Sequence, residues 1–185
     1  LDVWRQLLAE LRAGDLLDSA ADAAALRLVA VGYECRVNPV WPMPGLPRLL
    51  HYTAQSGLRM GIVSNAQFYT PLLFEAFLGQ PIGAFGFDER CCSWSYQHLQ
   101  AKPSTAIFEP VLRQLRDDRG IRARDVLYVG NDCLNDMMPA QQLGCRTALF
   151  AGDRRSLRLR VDDVRCRGLE PDITLTNLSQ LADVF

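Results

Sequence analysis

The chain has 185 residues, of which 49% are hydrophobic and 22% are charged, and its formal net charge is −1. This balance is typical of one globular domain, or of one domain with a small insertion. The near-zero net charge argues against a nucleic-acid surface, and no apolar run approaches the ~20 residues of a membrane helix. We therefore expect neither a nucleic-acid partner nor a membrane partner.

Apolar residues at helical spacing predict two helices at the N-terminus, over residues 3–13 and 18–33. Asp18 and Ser19 are possible caps of the second helix. Four prolines follow, and they predict a stiff, irregular connector that lasts until about Gly45.

After the connector, short apolar runs alternate with amphipathic helical patterns. Strands are predicted over residues 59–64, 91–95, 125–130, 146–150 and 172–175. Helices are predicted over residues 46–56, 69–78, 103–118, 135–143 and 178–185. Such alternation is typical of βαβ units, so we predict an α/β fold with a Rossmann-like parallel sheet flanked by helices.

A long predicted loop over residues 151–168 carries six arginines. We interpret it as a solvated loop, partly neutralised by Asp153, Asp162 and Asp163, rather than as an anion-binding patch.

The six cysteines show neither CxxC pairs nor the Cys/His spacing of metal sites. We interpret them as free thiols in a reducing compartment. The N-terminus shows no secretory pattern. Together these features predict a cytoplasmic protein.

Lys102 is exceptional because all but one of the 20 basic residues are arginines. Codon bias in a GC-rich genome could produce the arginines, and chance could leave one lysine. A compact ammonium group, however, fits tight sites that a planar guanidinium does not. We therefore predict a functional role for Lys102.

Polar residues follow the ends of two predicted strands, where open α/β sheets bind their ligands. Ser64 and Asn65 end one strand, and Asp132 and Asp136 follow another. A hydroxyl and the next backbone N–H can hold phosphate oxygens, and two aspartates can hold Mg²⁺. The alternative for the second pair is a helix cap formed by Asn135 and Asp136.

Ser64, Lys102-Pro103 and the segment GNDCLND at residues 130–136, in this order, resemble three motifs of the haloacid dehalogenase (HAD) superfamily. They match its second, third and fourth motifs. The likeness runs from the connector to the C-terminus. It implies a HAD-like α/β core over residues 43–185 and a small helical cap with its connector over residues 1–42.

The resemblance also implies roles for the site residues. Ser64 would bind a phosphoryl oxygen with help from the Asn65 backbone. Lys102 would hold the nucleophile and the phosphate. Asp132 would ligate Mg²⁺, and Asp136 would ligate the same ion or orient Lys102 and water.

The fourth motif departs from the family pattern, which usually has Gly-Asp where this chain has Gly130-Asn131-Asp132. Which of Asn131 and Asp132 faces the metal is therefore open. A carboxylate holds Mg²⁺ better than an amide, which favours Asp132.

The family's first motif, an apolar strand ending in Asp-x-Asp, supplies the nucleophile and the general acid/base. It should precede the cap, and Asp15 and Asp18 have the wrong spacing to replace it. We therefore expect the natural protein to extend upstream with such a strand, placed between the strands that end at Ser64 and Gly130. Without it the chain would be inactive.

Together, these features predict a Mg²⁺-dependent phosphatase that acts on a small phosphorylated metabolite through an aspartyl-phosphate intermediate. One alternative is a haloacid dehalogenase, which needs no metal and is disfavoured by the Asp132/Asp136 pair. Another is a non-catalytic HAD-like binding or regulatory protein that has lost its nucleophile. Substrate choice would depend on cap residues such as Trp4, Tyr33 and Arg36. The sequence determines neither the substrate nor the oligomeric state.

Overall fold

The computed structural model describes residues 2–16 and 22–185. The chain divides into two compact units, Leu1–Trp41 and Pro42–Phe185. Among the described residues, no helix combines the length and the apolar character needed to span a membrane.

The first unit is formed by two helices, α1 (Asp2–Ala13) and α2 (Ala23–Val37). Asp22 caps α2 by accepting a hydrogen bond from the backbone N–H three residues on, at 2.8 Å. The predicted caps Asp18 and Ser19 lie outside the described residues.

The second helix continues to Val37, so the predicted end near Tyr33 was wrong. The rings of Trp4 and Tyr33 pack edge to face, with their centroids 5.3 Å apart. Arg36 donates a hydrogen bond to the backbone carbonyl of Gly32 at 2.8 Å. Trp4 and Tyr33 thus pack within this unit, and their role in substrate choice stays a prediction.

The second unit contains every predicted strand. They are β1 (Met60–Ser64), β2 (Phe87–Trp94), β3 (Leu127–Gly130), β4 (Arg146–Phe150) and β5 (Ile173–Leu175). Strands β1 and β2 form one parallel sheet, and β3, β4 and β5 form a second in that order, also parallel. These sheets and the helices around them confirm the predicted α/β class.

The α-helices of this unit are α3 (Leu46–Gln55), α4 (Leu72–Leu78), α5 (Ser95–His98), α6 (Glu109–Arg119) and α7 (Met138–Gln142). Short 3₁₀ helices cover Ile82–Phe85, Thr105–Ile107, Ala123–Asp125, Val164–Cys166 and Leu178–Asp183. The single helix predicted over residues 135–143 is instead a π-helical turn, Cys133–Met137, followed by α7. Pro139 explains the break, because it has no N–H to continue an α-helical ladder.

Helices cover both faces of the second sheet. Leu127 of β3 packs into a cluster with Leu178 and Leu181, on the face that α3 also covers. Its neighbour Tyr128 packs on the opposite face against Ile107 and Phe108, beside α6 and α7. This alternation follows the two-residue period of a strand, and it gives the core its two layers of helices.

The described strands leave a gap in the backbone pairing between the two sheets: β1 pairs only with β2, and β3 pairs only with β4. Adjacent strands would lie about 4.8 Å apart and share backbone hydrogen bonds. Across this gap the hydroxyl of Tyr128 donates a hydrogen bond to the Val63 carbonyl at 2.9 Å. A side chain of β3 therefore reaches the backbone of β1 where no described strand lies between them.

All six cysteines, which lie in the described part of the chain, are free thiols as predicted. Burial raises the pKa of Cys92 and of Cys145 to about 11. Both therefore stay protonated at neutral pH, as expected of structural thiols.

Candidate active site

Asn65 holds the backbone of Lys102 beside the end of β1. The Asn65 Oδ1 atom accepts a hydrogen bond from the Lys102 N–H at 2.7 Å, and its Nδ2 atom donates to the Lys102 carbonyl at 3.1 Å. The pair satisfies both backbone groups of Lys102, as a strand neighbour would. Residues 65 and 102, which are distant in the sequence, therefore meet at one strand end.

The Lys102 side chain is buried with the carboxylate of Asp136. Its Nζ atom lies 2.5 Å from Asp136 Oδ1 and 3.0 Å from the Tyr128 hydroxyl. The two charged side chains are only 11% and 6% exposed, so water screens this ion pair weakly.

Tyr128 supports this pair as a neutral phenol. Burial raises its pKa well above the ordinary value, and the negative charge of Asp136 raises it further. The hydroxyl therefore keeps its proton, which it donates to Val63 while its oxygen accepts from Lys102.

The other oxygen of Asp136 is held by backbone. Its Oδ2 atom accepts hydrogen bonds from the N–H groups of Asn131 and Asp132, both at 3.0 Å. Gly130 permits this close approach, because a Cβ atom there would overlap the Asp136 side chain. Only glycine at residue 130 therefore lets the turn close around the carboxylate.

We expect Gly130→Ala to lower the free energy of unfolding by about 1–3 kcal/mol, the usual cost of overpacking. Urea unfolding followed by circular dichroism would measure the loss. Gly83→Ala is the matched control in the same unit, because the nearest atom to its Cβ would be Glu89 Oε1, 4.0 Å away. If the two variants unfold at the same urea concentration, the Asp136 side chain can move aside for the added methyl group without loss of stability.

Asp132 is buried, at 8% exposure, and its carboxylate binds the turn that follows. It accepts from the backbone N–H groups of Leu134 and Asn135 at 3.0 and 3.2 Å, and from Asn135 Nδ2 at 2.9 Å. It therefore caps the π-helical turn. The alternative prediction of a helix cap was correct in that an aspartate caps this segment. The capping residue, however, is Asp132 and not Asn135 or Asp136.

Arg160 completes the surroundings of Asp132. Its Nε and Nη2 atoms lie 3.1 and 2.6 Å from the two carboxylate oxygens. Burial alone would raise the pKa of Asp132, but the hydrogen bonds from Arg160, Asn135 and Leu134 hold that pKa below its ordinary value. The Arg160 side chain nevertheless remains 39% exposed, in line with the interpretation of residues 151–168 as a solvated loop.

The predicted site residues thus gather where β1 and β3 end. Lys102 contacts Asn65 and Asp136, and Asp136 contacts the backbone of Asp132. Ser64 is the last residue of β1, and its hydroxyl has no hydrogen-bond partner among the described residues. A buried cation, a carboxylate and an unpaired hydroxyl together suit an anionic ligand.

No protein-family model and no curated protein matches the sequence, but solved structures do. A HAD phosphatase from Thermococcus onnurineus is 17% identical with a TM-score of 0.62, over 94% of this chain and 67% of that one. The magnesium-bound HAD-hydrolase YfnB from Bacillus subtilis is 18% identical with a TM-score of 0.61, over 98% of this chain and 68% of that one. A 2-haloacid dehalogenase from Pseudomonas syringae is 23% identical with a TM-score of 0.57, over 90% of this chain and 64% of that one.

The chain has the haloacid dehalogenase fold. It spans about two thirds of the length of these three structures. Within this HAD fold, Ser64, Asn65, Asp132 and Asp136 lie at or just after the ends of β1 and β3, and Lys102 lies beside the end of β1.

Sequence reasoning missed three contributions to this HAD-fold site: the Asn65 side chain, Tyr128 and Arg160. Tyr128 left a usable signal, because a phenol in a buried strand needs a hydrogen-bond partner. Arg160 left none, because it is one of six arginines in its loop and only the fold brings it to Asp132.

Proposed function

We propose that this chain contributes to a Mg²⁺-dependent HAD-superfamily phosphatase that acts on small phosphorylated metabolites. The observation that carries the proposal is the buried ion pair between Lys102 and Asp136, at 2.5 Å, beside the end of β1. A buried cation at a strand end is suited to an anionic substrate and to the charge that develops in phosphoryl transfer.

Each residue has a role that its surroundings support. The Ser64 hydroxyl and the Asn65 N–H bind phosphoryl oxygens, as a hydroxyl and a backbone N–H at a strand end can. Lys102 neutralises the phosphate and the attacking carboxylate. Asp136 and Tyr128 hold the ammonium in place.

The donor chemistry suits Mg²⁺, which prefers oxygen ligands and retains several waters. Asp136 accepts from Lys102, Asn131 and Asp132. The Tyr128 hydroxyl also lies 3.3 Å from Asp136 Oδ1, but its single proton goes to the nearer Val63 carbonyl at 2.9 Å. One of the about four acceptor positions of the carboxylate is then left. When bound, the ion would add positive charge next to the phosphoryl oxygens.

The second metal-facing residue is Asn131 in this proposal. Five hydrogen bonds already reach the Asp132 carboxylate, whereas Asn131 Oδ1 has no partner among the described residues. Its Nδ2 atom is anchored to the Ser156 carbonyl at 2.8 Å. This assignment reverses the preference for Asp132, which rested on ligand strength alone.

The remaining ligands and the nucleophile come, in this proposal, from a strand ending in Asp-x-Asp between β1 and β3. Within residues 2–16 and 22–185, no three carboxylate, thiol or imidazole side chains group closely enough to hold a metal ion. The outer strands β1 and β3 border the gap, and Val129 of β3 is 38% exposed despite its apolar side chain. An added strand would pair with both edges and carry its carboxylates to Lys102.

A haloacid dehalogenase is the second candidate, because one of the three structures above is named as such an enzyme. The products distinguish the two activities. Protein that includes the Asp-x-Asp strand would be assayed for phosphate release from phosphomonoesters and for chloride release from 2-chloropropionate, with and without Mg²⁺. We expect phosphate release that requires Mg²⁺. The Asp136→Asn variant should release phosphate at least about 100-fold more slowly.

Chloride release without metal would contradict the proposed phosphatase activity and support a dehalogenase. Absence of both products, in protein that contains the Asp-x-Asp strand, would favour a binding or regulatory protein.

A further inference from the structure

Arg160 lies outside the segments that resemble HAD motifs, yet it is joined to the candidate site. Both prongs of its guanidinium contact the Asp132 carboxylate, at 3.1 and 2.6 Å. Such bidentate pairing fixes orientation as well as charge. We propose that Arg160 is a positioning residue, which acts through Asp132 to hold Asp136 against Lys102.

Backbone hydrogen bonds hold the loop that contains Arg160 beside Asp132. The N–H of Arg158 donates to the Asn131 carbonyl at 2.8 Å, and the Cys133 N–H donates to the Arg158 carbonyl at 2.9 Å. Residues 131–133 thereby gain a short parallel bridge with the long loop. Arg160 itself has a left-handed backbone, with φ of +57°, a conformation that a non-glycine residue keeps only when its surroundings enforce it.

Asp132 transmits the effect of Arg160 to Asp136 because the two aspartates bind each other through the backbone. The Asp132 N–H donates to Asp136 Oδ2 at 3.0 Å, and the Asp136 N–H donates to the Asp132 carbonyl at 2.8 Å. The Asp132 carboxylate also orders Leu134 and Asn135, which connect the two. A displaced Asp132 would therefore displace the carboxylate that holds Lys102.

The same loop contains a matched ion pair that does not reach the site. Arg165 contacts Asp163 with the same two prongs, at 2.9 and 2.7 Å. Its partner lies in the loop itself, and the Arg165 side chain is 54% exposed. Bidentate pairing alone thus does not define a positioning residue, because the partner must also touch the Lys102–Asp136 pair.

The proposal rests on the proposed function only in taking Lys102 and Asp136 as the reactive centre, and it can be tested without turnover. Lys102 is the single lysine of the chain, so acetylation by an amine-specific reagent can be followed at that residue by mass spectrometry. We expect Arg160→Met to speed acetylation of Lys102 several-fold, because Asp136 would hold the ammonium less firmly. Arg165→Met should leave the rate unchanged, and circular dichroism should show both variants folded.

Coupling through Asp132 is tested by a double-variant cycle. Asp132→Asn should itself speed acetylation, and adding Arg160→Met should then produce little further change. If Arg160→Met alone fails to fold, Arg160→Lys and the double variant decide, because neither leaves Asp132 as an unpaired charge. Both lose the bidentate contact, so both should still speed acetylation of Lys102. Parent-like acetylation in folded Arg160 variants, or an undiminished effect beside Asp132→Asn, would overturn the proposal.

Discussion

A chain that carries a strand ending in Asp-x-Asp ahead of residue 1 is expected to hydrolyse a phosphomonoester that residues 1–185 leave intact. The shorter chain places Lys102 and Asp136 together, but none of the strands described in residues 2–16 and 22–185 lies in the gap between β1 and β3. Phosphoryl transfer through a carboxylate needs that carboxylate within reach of the substrate. We therefore expect the added strand to confer an activity that residues 1–185 alone should lack.

The same strand should stabilise the fold. It would pair with the free edges of β1 and β3, where about half of each strand's N–H and C=O groups now lack a ladder partner. Each ladder hydrogen bond that forms contributes about 0.5–1.5 kcal/mol, and a whole domain has only about 5–15 kcal/mol of net stability. Pairing a few such groups should raise Tm by about 10 °C in a domain of this size.

The two effects are separated by a control variant in which the first aspartate of Asp-x-Asp is replaced by alanine. That variant should keep the gain in Tm and lose the activity, because the strand remains while the nucleophile is removed. Scanning calorimetry and a phosphate assay on the three proteins measure both quantities. Equal Tm and equal activity in the short and extended chains would show that the strand is not needed.

The sequence predicted the strands well because buried strands leave short, continuous apolar runs. Residues 146–150 were predicted as β4 without error, and the strand before Gly130 was misplaced by only two residues at its start. The helix after Asp132 was harder, because the cap, the proline and the π-helical turn all lie within eight residues. Local propensity does not reveal which of two aspartates turns inward to cap the turn.

The candidate site was predictable where its residues belong to sequence motifs, and not where the fold alone joins them. Ser64, Lys102 and Asp136 were found because each belongs to a motif with recognisable chemistry. Tyr128 and Arg160 were missed because their partners are distant in the sequence, as in the bond from Arg160 to Asp132 across 28 residues. Contacts of this kind depend on tertiary packing, which sequence periodicity does not encode.

Lys102→Arg is expected to lower kcat by about 100-fold or more in protein that carries the Asp-x-Asp strand, because small displacements of a positioned group cost about that much. The ammonium fits between Asp136 Oδ1 and the Tyr128 hydroxyl, and the side chain is only 11% exposed. A guanidinium carries its charge over a wider plane and would displace one of these partners. The variant keeps the positive charge at residue 102, so the loss of kcat would measure the effect of side-chain shape alone.

Arg122→Lys is the matched control, because it makes the reverse exchange of arginine for lysine in an exposed ion pair. Arg122 pairs with Asp125 at 3.0 Å, but both side chains are well exposed, at 60% and 44%, so the exchange should change kcat little. Steady-state kinetics on the two variants, with Mg²⁺ saturating, make the comparison. Near-normal kcat in Lys102→Arg would show that the site needs only a positive charge, and that the single lysine reflects chance in an arginine-rich chain.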